Sequence, residues 1–540
     1  MNLIKKTWLS PSQRPGDSLS CTYACRKGTL SYTPKKGLTR LFIFSLLSSL
    51  TVLTSPVRAE AHERSASFFS YDINHDQMID YTVEAIGWTS TVKPSVTVEK
   101  HDQAVYTQYF YKQGEKNFRI TFIQLKNGDV MYFVRNYPGK QSNQITLKIT
   151  VFDSSTKTAI LSSGKWRSIG LPSSSSSSLY IDGTFLHYRI GNVTAFKPLG
   201  YTTYDEVINK ERPITIKSNG ESASYLIPLP AEASYLSDTW GILSGQPLIN
   251  WEDKTVSGAA AAMEFETTKK LGVDGQYYPT PDSTYNPYTP HSFYRNPANL
   301  DGLQALSYFS GENGNLFYDI ATHLAYSSVN TQNPEGFWPT YPRSEGWLYK
   351  TYKIGYEYMD NRRNADNVTF LLNYAKQTND PDVKQALKKW DTYQTGYIRK
   401  YGIRTGKHGI LIPDYTDGTH VSHTSLNHQT ANMNYILEAY LFDGDPVKKD
   451  LALQLLSGIE ETSKRWVMPN HNLYYSLDRK LNPTSSNDYF ELTRDDLLTA
   501  QDLLLEVRGE KSEVLQYLID EKNKWIEEQL NVQRAAKGSN

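Results

Sequence analysis

The chain has 540 residues, 57 basic and 57 acidic side chains, and a net charge of +0. This length predicts two or more domains with an ample hydrophobic core. The balanced charge gives no field that would gather nucleic acid or an anionic membrane, so we expect neither as a partner.

The first 61 residues have the pattern of an export signal. Three basic residues between 35 and 40 precede an apolar run, Leu41–Leu53, and small residues up to Ala61 follow it. The run of about 13 residues is short for a membrane span. Removal of residues 1–61 would leave a secreted or cell-surface chain, whereas retention would leave an anchor. Because Cys21 and Cys25 lie in this segment, the remaining chain would depend on its core and not on disulfides.

Residues 62–239 are predicted to form a β-sandwich or β-barrel domain. Alternating apolar and polar residues predict strands at Tyr106–Tyr111, Phe118–Leu125, Val130–Tyr137 and Gln144–Phe152. Asn127-Gly128 is a hairpin turn pattern. The serine run Ser173–Ser178 is interpreted as a loop tip, because strand-like sequence resumes after it.

Near the start of this region, oxygen-bearing side chains recur at the spacing of a calcium-binding loop. The candidate ligands are Asp72, Asn74, Asp76, the backbone carbonyl of Met78, and Asp80. The glycine usual at position six and the carboxylate usual at position twelve are both missing. A structural calcium ion and a metal-free Asx-turn are therefore equally compatible with the loop.

Residues 240–535 are predicted to be helical. Apolar residues at spacings of three and four recur in seven segments: Leu300–Phe309, Leu316–Tyr326, Val368–Tyr374, Val383–Trp390, Met433–Leu441, Leu451–Ile459 and Leu497–Leu505. Asp380-Pro381 and Asp445-Pro446 are strong helix starts 65 residues apart (445 − 380 = 65), and Gly509–Ser512 is a weaker third start. Repeated helical hairpins with long connections predict an α/α-toroid domain.

Three aromatic and polar segments lie between the predicted hairpins. The longest, 334–366, combines two tryptophans, several tyrosines and three arginines. Flat aromatic rings suit sugar faces, and arginine binds carboxylates through paired hydrogen bonds. We therefore expect an acidic polysaccharide as partner, although a tyrosine-rich core edge with solvated arginines would give the same pattern.

The order of short motifs resembles the C-terminal domain of the D-glucuronyl C5-epimerase family. The similar residues are Gly336-Phe337-Trp338 with Arg343 and Gly346-Trp347, Ser425-Leu426-Asn427, Tyr475-Ser476-Leu477, Asp488-Tyr489, and the final helix Ser512–Leu530. The resemblance implies an α/α-toroid that epimerises glucuronyl residues at C5. It also implies Tyr475 and Tyr489 as catalytic tyrosines, with Asp414 or Asp417 as the carboxylate.

Abstraction of a proton beside a uronate carboxylate needs a base and a cation that reduces the charge of the carboxylate. A tyrosine serves as the base if nearby cations lower its pKa. His428 is a further acid–base candidate. The candidate substrate-binding residues are Trp338, Tyr341, Arg343, Trp347, Arg362, Tyr415, Asn427, Arg479 and Arg494.

Other functions remain compatible with these residues. A lyase needs the same base, and two carboxylates among Glu345, Glu357, Asp360 and Asp366 would suit a glycoside hydrolase. A non-catalytic glycan-binding protein would also show exposed aromatic residues. We expect no cofactor for the chemistry, and a homodimer is compatible with the sequence.

Overall fold

The computed structural model describes residues 68–88, 92–114, 116–137, 145–199, 203–208, 212–230, 236–265, 270–279, 293–295, 297–341, 343–484 and 488–538. The predicted export signal and both cysteines lie outside these residues. A β-rich region followed by a helical region is confirmed.

The first half of the chain consists of antiparallel strands. The first nine are β1 (Phe68–Tyr71), β2 (Tyr81–Ile86), β3 (Ser95–Lys100), β4 (Ala104–Gln113), β5 (Lys116–Leu125), β6 (Val130–Asn136), β7 (Ile145–Val151), β8 (Ser155–Ser162) and β9 (Lys165–Ile169). The next eight are β10 (Ser174–Ser175), β11 (Leu179–Gly183), β12 (His187–Ile190), β13 (Thr194–Leu199), β14 (Thr203–Ile208), β15 (Ile214–Ser218), β16 (Ala223–Leu229) and β17 (Leu236–Ser244). Three later strands extend the same region: β18 (Lys270–Gly272), β19 (Gly275–Pro279) and β20 (Phe293–Arg295).

These strands form two sheets. The smaller sheet has the order β1-β2-β7-β16-β15-β10, and the larger, 14-stranded sheet branches at β17, which pairs with β6, β12 and β13. The predicted domain boundary between 239 and 240 falls inside β17. The sheet therefore continues past the predicted boundary, and the first helix begins only at Lys254.

The central strands β5 and β6 of the larger sheet are buried on both faces. Along β5 and β6, Phe118, Ile120 and Tyr132 pack against the smaller sheet, whereas Ile123 and Phe133 pack against helices. Because successive side chains of a strand point to opposite faces, two buried faces require the nearly continuous apolar run of β6.

The hairpin between β5 and β6 confirms the predicted turn. Gly128 has a φ of 97°, which glycine adopts without strain, and the Asn127 carboxamide oxygen accepts a hydrogen bond from the Asp129 amide at 3.1 Å.

The second half of the chain is mainly helical. Its helices, with α1 preceding β18, are α1 (Lys254–Phe265), α2 (Leu300–Leu306), α3 (Asn315–Thr331), α4 (Lys350–Tyr352), α5 (Asn361–Thr378), α6 (Pro381–Tyr401), α7 (Leu426–Asp443), α8 (Pro446–Trp466), α9 (Leu492–Arg508) and α10 (Glu513–Gly538). A 3₁₀ turn spans Gly311–Asn313 and a π-helical turn spans Glu345–Tyr349. Six short strands connect the loops: β21 (Met359–Asp360), β22 (Ile403–Arg404), β23 (Ile410–Leu411), β24 (Tyr415–Thr416), β25 (Thr424–Ser425) and β26 (Ser476–Leu477).

Three hairpins, α5–α6, α7–α8 and α9–α10, repeat at a constant interval. Their first helices end at left-handed residues, Asn379, Gly444 and Gly509, which are 65 residues apart (444 − 379 = 65 and 509 − 444 = 65). Asp380 and Asp445 then cap α6 and α8 as predicted. In the third hairpin, the second helix, α10, begins at Glu513, where the Ser512 hydroxyl accepts a hydrogen bond from the Leu515 amide.

The hairpins pack in chain order. α2 contacts α5, α5 contacts α7, and α7 contacts α9, so the first helices of successive hairpins lie side by side. Closure of this row into the predicted toroid stays a prediction. Among the described helices, none is long and apolar enough to cross a membrane.

Candidate active site

The candidate active site lies where α5 and α7 begin. Asp360 caps α5, since its carboxylate accepts hydrogen bonds from the Arg362 and Arg363 amides at 3.0 and 3.1 Å. The Ser425 side chain makes no capping hydrogen bond for α7. Instead, the Ser425 amide donates to the Asp414 carboxylate at 2.8 Å, so the loop before α7 supplies the charge at this helix start.

Two pairs of two-residue strands bring distant loops to this place. In β21 and β24, Asp360 lies opposite Tyr415, and in β25 and β26, Ser425 lies opposite Ser476. The loops that carry Asp414 and Tyr475 are thereby held beside the starts of both helices.

Three side chains, Tyr352, His423 and Asp414, cross the site in a row: Tyr352 is hydrogen-bonded to His423, and His423 faces Asp414 at an ion-pair distance without hydrogen-bond geometry. The Tyr352 hydroxyl lies 2.8 Å from His423 Nδ1, and His423 Nε2 lies 3.1 Å from Asp414 Oδ2. The carboxylate favours the imidazole tautomer that carries its proton on Nε2, so Nδ1 accepts from the Tyr352 hydroxyl. Tyr352 is half-buried, whereas His423 and Asp414 are buried.

The electrostatics of this chain favour a charged Asp414. Burial alone would raise the pKa of Asp414, but His428, His423 and the hydrogen bond from Ser425 outweigh burial and lower it. For Tyr352, burial and the charge of Asp414 raise the pKa to about 12 against the opposing hydrogen bond with His423. At neutral pH the chain therefore holds a carboxylate and a neutral phenol.

His428 was predicted as an acid or base, and it lies in the interior of the site. Its Nδ1 donates to the Asn361 carboxamide oxygen at 2.5 Å, and its Nε2 lies 3.8 Å from Asp414. Burial lowers the pKa of His428 despite the nearby carboxylates of Asp414 and Asp360. The imidazole therefore stays neutral at neutral pH and links the two helix starts.

Three predicted aromatic residues, Trp347, Tyr415 and Tyr475, surround His423, and a fourth, Tyr489, contacts Tyr475. The Trp347 ring lies 5.8 Å from His423 and 5.3 Å from Tyr415, the Tyr475 ring lies 5.6 Å from His423, and the Tyr489 ring lies 5.8 Å from Tyr475. Trp347 and Tyr489 are half-buried, while Tyr415 and Tyr475 are buried. The structure thus gathers Trp347, Tyr415, Tyr475 and Tyr489 at one place.

The environment of Tyr475 differs from the one expected of a tyrosine base. Burial, with the nearby Tyr489 and Asp414, raises the pKa of Tyr475 well above its ordinary value. Its hydroxyl oxygen is also shielded from solvent. The condition set for a tyrosine base, a pKa lowered by nearby cations, is therefore not met at Tyr475, because carboxylate and phenol groups lie beside it.

Arg343 lies at the edge of the site, beside the π-helical turn. Its guanidinium carbon lies 4.0 Å from the centre of the exposed Tyr349 ring, and its Nη1 donates to the Ile354 carbonyl at 3.4 Å. Ser344 caps the turn by accepting a hydrogen bond from the Trp347 amide at 3.3 Å. The turn therefore places a cation and two aromatic rings on one short segment.

Asn427 is buried at the start of α7. Neither its side-chain nitrogen nor its side-chain oxygen has a hydrogen-bond partner among the described residues. Its backbone carbonyl accepts from Arg362 Nη1 at 3.3 Å. Among the described residues, the Asn427 carboxamide, next to His428 in sequence, therefore has a donor and an acceptor that are not used in hydrogen bonds.

Two other predicted residues have structural partners. Trp338 is a core residue, and its indole nitrogen donates to the Ser328 carbonyl at 2.7 Å. Arg362 is buried between Asp366 at 3.0 Å and Asp496 at 2.5 Å. These contacts contradict the prediction that Trp338 and Arg362 bind substrate, since Arg362 forms an ion pair with Asp366 one helical turn away.

Asp417 organises its own loop. Its carboxylate accepts hydrogen bonds from the amides of Gly355, Thr419 and His420 at 2.8, 2.9 and 2.6 Å. Although burial alone would raise its pKa, the hydrogen bonds from His420, Thr419 and Gly355 lower the pKa of Asp417 to about 2. Of the two predicted carboxylates, Asp414 joins the candidate active site and Asp417 holds the loop.

The remaining predicted binding residues lie apart from His423. Tyr341 is buried and stacks on Tyr356 with ring centres 6.4 Å apart. Arg494 pairs with Asp495 at 2.6 Å, and Arg479 is exposed. None of these residues has a described ring contact or hydrogen bond with the Tyr352–His423–Asp414 chain.

Tyr352 and His423 were not predicted as catalytic residues. The two residues are 71 positions apart and lie in different connections between hairpins, so no local spacing joins them. The available indication was Asp414 and His423 at the two ends of one loop, where the Asp414 amide donates to the His423 carbonyl at 2.8 Å.

The polar side chains of the predicted calcium loop accept hydrogen bonds from the backbone amides of the same loop. Asp72, Asp76 and Asp80 accept hydrogen bonds from loop amides at 2.7 to 3.0 Å, and the Asn74 carboxamide accepts one from Asp76 at 2.9 Å. Met78 is exposed. Across the described ranges, no three His, Cys, Asp or Glu side chains are grouped to hold a metal ion. These contacts form Asx-turns, and calcium binding stays a prediction.

No family model and no curated protein matches the chain. Three similar solved structures are a family 76 glycoside hydrolase from a bovine Bacteroides thetaiotaomicron strain, a cellobiose 2-epimerase from Bacillus thermoamylovorans, and an unsaturated glucuronyl hydrolase from Bacillus sp. GL1. Their identities are 12%, 10% and 14%, and their TM-scores are 0.36, 0.33 and 0.29. The matches cover 72%, 43% and 42% of this chain and 76%, 61% and 60% of those chains. At these scores the overlap is too small to assign a fold or an activity.

Proposed function

We propose that the chain is a carbohydrate-active enzyme that removes the C5 proton from a uronosyl residue, such as glucuronyl, of an acidic polysaccharide. The observation that carries this proposal is the half-buried Tyr352, whose hydroxyl is hydrogen-bonded to His423, with the buried Asp414 carboxylate 3.1 Å from the other ring nitrogen of His423. A neutral phenol next to an imidazole and a carboxylate has the arrangement of an activated acid–base group.

The proton steps follow from this arrangement. With a pKa of about 12, Tyr352 keeps its proton at neutral pH, so His423 Nδ1 takes that proton as the phenol oxygen removes the C5 hydrogen. The C5–H electron pair moves into the substrate carboxyl group. Asp414 stabilises the imidazolium because it is buried and negatively charged beside Nε2.

The substrate contacts come from the π-helical turn. Arg343 would neutralise the uronate carboxylate, which lowers the cost of the additional negative charge at C5. Trp347 would pack against the sugar ring next to His423.

In C5-epimerisation, the preferred reaction, a second acid returns a proton to the opposite face of C5. The half-buried Tyr489 is the candidate for this acid. The second candidate reaction is lyase chemistry, in which the C4–O bond breaks, a C4–C5 double bond forms and the leaving oxygen takes a proton. The shielded hydroxyl of Tyr475 favours this alternative, because it leaves fewer tyrosines able to reach a second face of the sugar.

The test is incubation of the chain with a glucuronan-type polymer in heavy water. Deuterium at C5 without chain scission supports epimerisation, and ultraviolet absorbance from an unsaturated end supports the lyase reaction. New reducing ends without either change would replace the proposal with a hydrolase. Binding without any chemical change would leave a non-catalytic glycan-binding protein.

A further inference from the structure

A separate cavity of about 320 Å³ lies between the larger sheet and helices α1 to α3. Its mouth includes Ser163, Ser176 and Asn192, which are exposed, and its floor includes Gln276 and Asp301, which are buried. We call it the serine-rimmed cavity. It shares no lining residue with the candidate active site.

The serine run explains the shape of the mouth. Ser174 and Ser175 pair with β15, which anchors the run to the smaller sheet. At the other end, the buried Ser178 hydroxyl donates to the Asn192 carboxamide oxygen at 3.0 Å. Ser176 stands exposed between these two anchored points. Small hydroxyl side chains thus keep the entrance open and polar.

The wall of the cavity is a preorganised polar cluster around Arg189. Its guanidinium donates to both Glu264 carboxylate oxygens at 3.0 to 3.2 Å, to the Tyr180 hydroxyl at 3.2 Å, to the Trp240 carbonyl at 2.8 Å and to Ser178 at 3.1 Å. These partners use the donors of the guanidinium within the protein. Arg189 therefore shapes the wall and is not available to hold an anion.

The charges select against an anionic ligand. Among the described lining residues, three carboxylates, Asp238, Glu264 and Asp301, face one arginine, and Asp238 is itself paired with Arg135. The serine hydroxyls at the mouth can donate to and accept from the hydroxyl groups of a neutral ligand.

We propose that the serine-rimmed cavity binds a neutral saccharide unit. Its volume corresponds to about ten water molecules at about 30 Å³ each, and it falls at the lower end of the range of small-molecule sites. Leu316 and Ile320 supply apolar surface beside the floor. Such a surface suits the apolar C–H face of a sugar ring. This inference does not rest on the proposed function.

The experiment is calorimetric titration of the chain with maltose, cellobiose and lactose, with glucuronate as the charged comparison. Binding of at least one neutral disaccharide is expected, together with at least tenfold weaker binding of glucuronate. Ser176→Trp, which closes the mouth, should weaken binding of that disaccharide at least tenfold. Ser173→Trp is the matched control, since Ser173 is also exposed but does not line the cavity, and its affinity should stay within twofold.

Three results would overturn the inference: no binding of any neutral disaccharide, equal affinity in Ser176→Trp, or preference for glucuronate. Tyr352→Phe separates the two sites, because its affinity for the disaccharide should be unchanged. Loss of disaccharide binding in Tyr352→Phe would place the ligand in the candidate active site and reject the cavity.

Discussion

Replacement of Tyr352 by phenylalanine tests the chemistry most directly. The change deletes one hydroxyl, and with it the 2.8 Å hydrogen bond to His423, while the ring keeps its edge contact with Trp347. Loss of one hydrogen bond costs about 1 kcal/mol of unfolding free energy, so the fold persists. Loss of an acid–base group lowers turnover about 10²- to 10⁴-fold, which corresponds to about 2.7 to 5.4 kcal/mol of activation free energy.

The assay is the rate of deuterium incorporation at C5 of a glucuronan-type polymer, with urea unfolding as the stability measurement. Tyr349→Phe is the matched control, because Tyr349 lies in the neighbouring turn and its ring alone contacts Arg343. Tyr475→Phe should keep most of its turnover, since that hydroxyl is buried. Turnover of Tyr352→Phe within threefold of the parent, with a hundredfold loss in Tyr475→Phe, would refute the assignment.

Three further predictions concern stability. Burial raises the pKa of Asp129 to about 6, and burial together with the charge of Asp129 raises the pKa of Asp319, so the pair lowers the unfolding free energy as pH rises from about 4 to 6. Melting curves recorded between pH 4 and 6 should show a smaller loss of stability in Asp129→Asn than in the parent. An equal loss of stability in the two proteins would contradict the role of this pair. Calcium should raise the melting temperature of the parent but not of Asp76→Ala, and equal responses would reject the loop as a site. In urea unfolding, Asp380→Ala should cost about 2 to 4 kcal/mol, because it removes a buried cap and the partner of a buried tyrosine hydroxyl. The exposed cap variant Asp445→Ala should cost about 1 kcal/mol, and equal costs would contradict this reasoning.

The helical hairpins were predictable because their determinants are local. Asp380-Pro381 and Asp445-Pro446 carry both the capping carboxylate and the proline within two residues, and the structure places helix starts at both. The end of the β-rich region was not predictable in the same way. β17 pairs with strands far away in sequence, and no local pattern separates it from the following loop.

The sequence predicted which kinds of residue lie at the candidate active site, but not which role each residue has there. The gathering of Trp347, Tyr415 and Tyr475 depends on two-residue strand pairs between distant loops. The role of Arg362 depends on Asp496, which lies 134 residues away. Such contacts decide which polar side chains are neutralised within the protein, and periodicity and spacing carry no information about them.

The constant interval between hairpins has a consequence for protein engineering. Arg363 and His428 occupy equivalent positions in successive repeats (363 + 65 = 428), and both are buried in the first turn of their helices. One position retains a permanent cation beside Asp360, and the other carries a titratable ring beside Asp414. Different residues at one repeated position therefore create asymmetry in an otherwise periodic scaffold. Mutant libraries restricted to the connecting loops and to the positions equivalent to Arg363 and His428 would vary the chemistry of the site without changing the residues that pack the helices together.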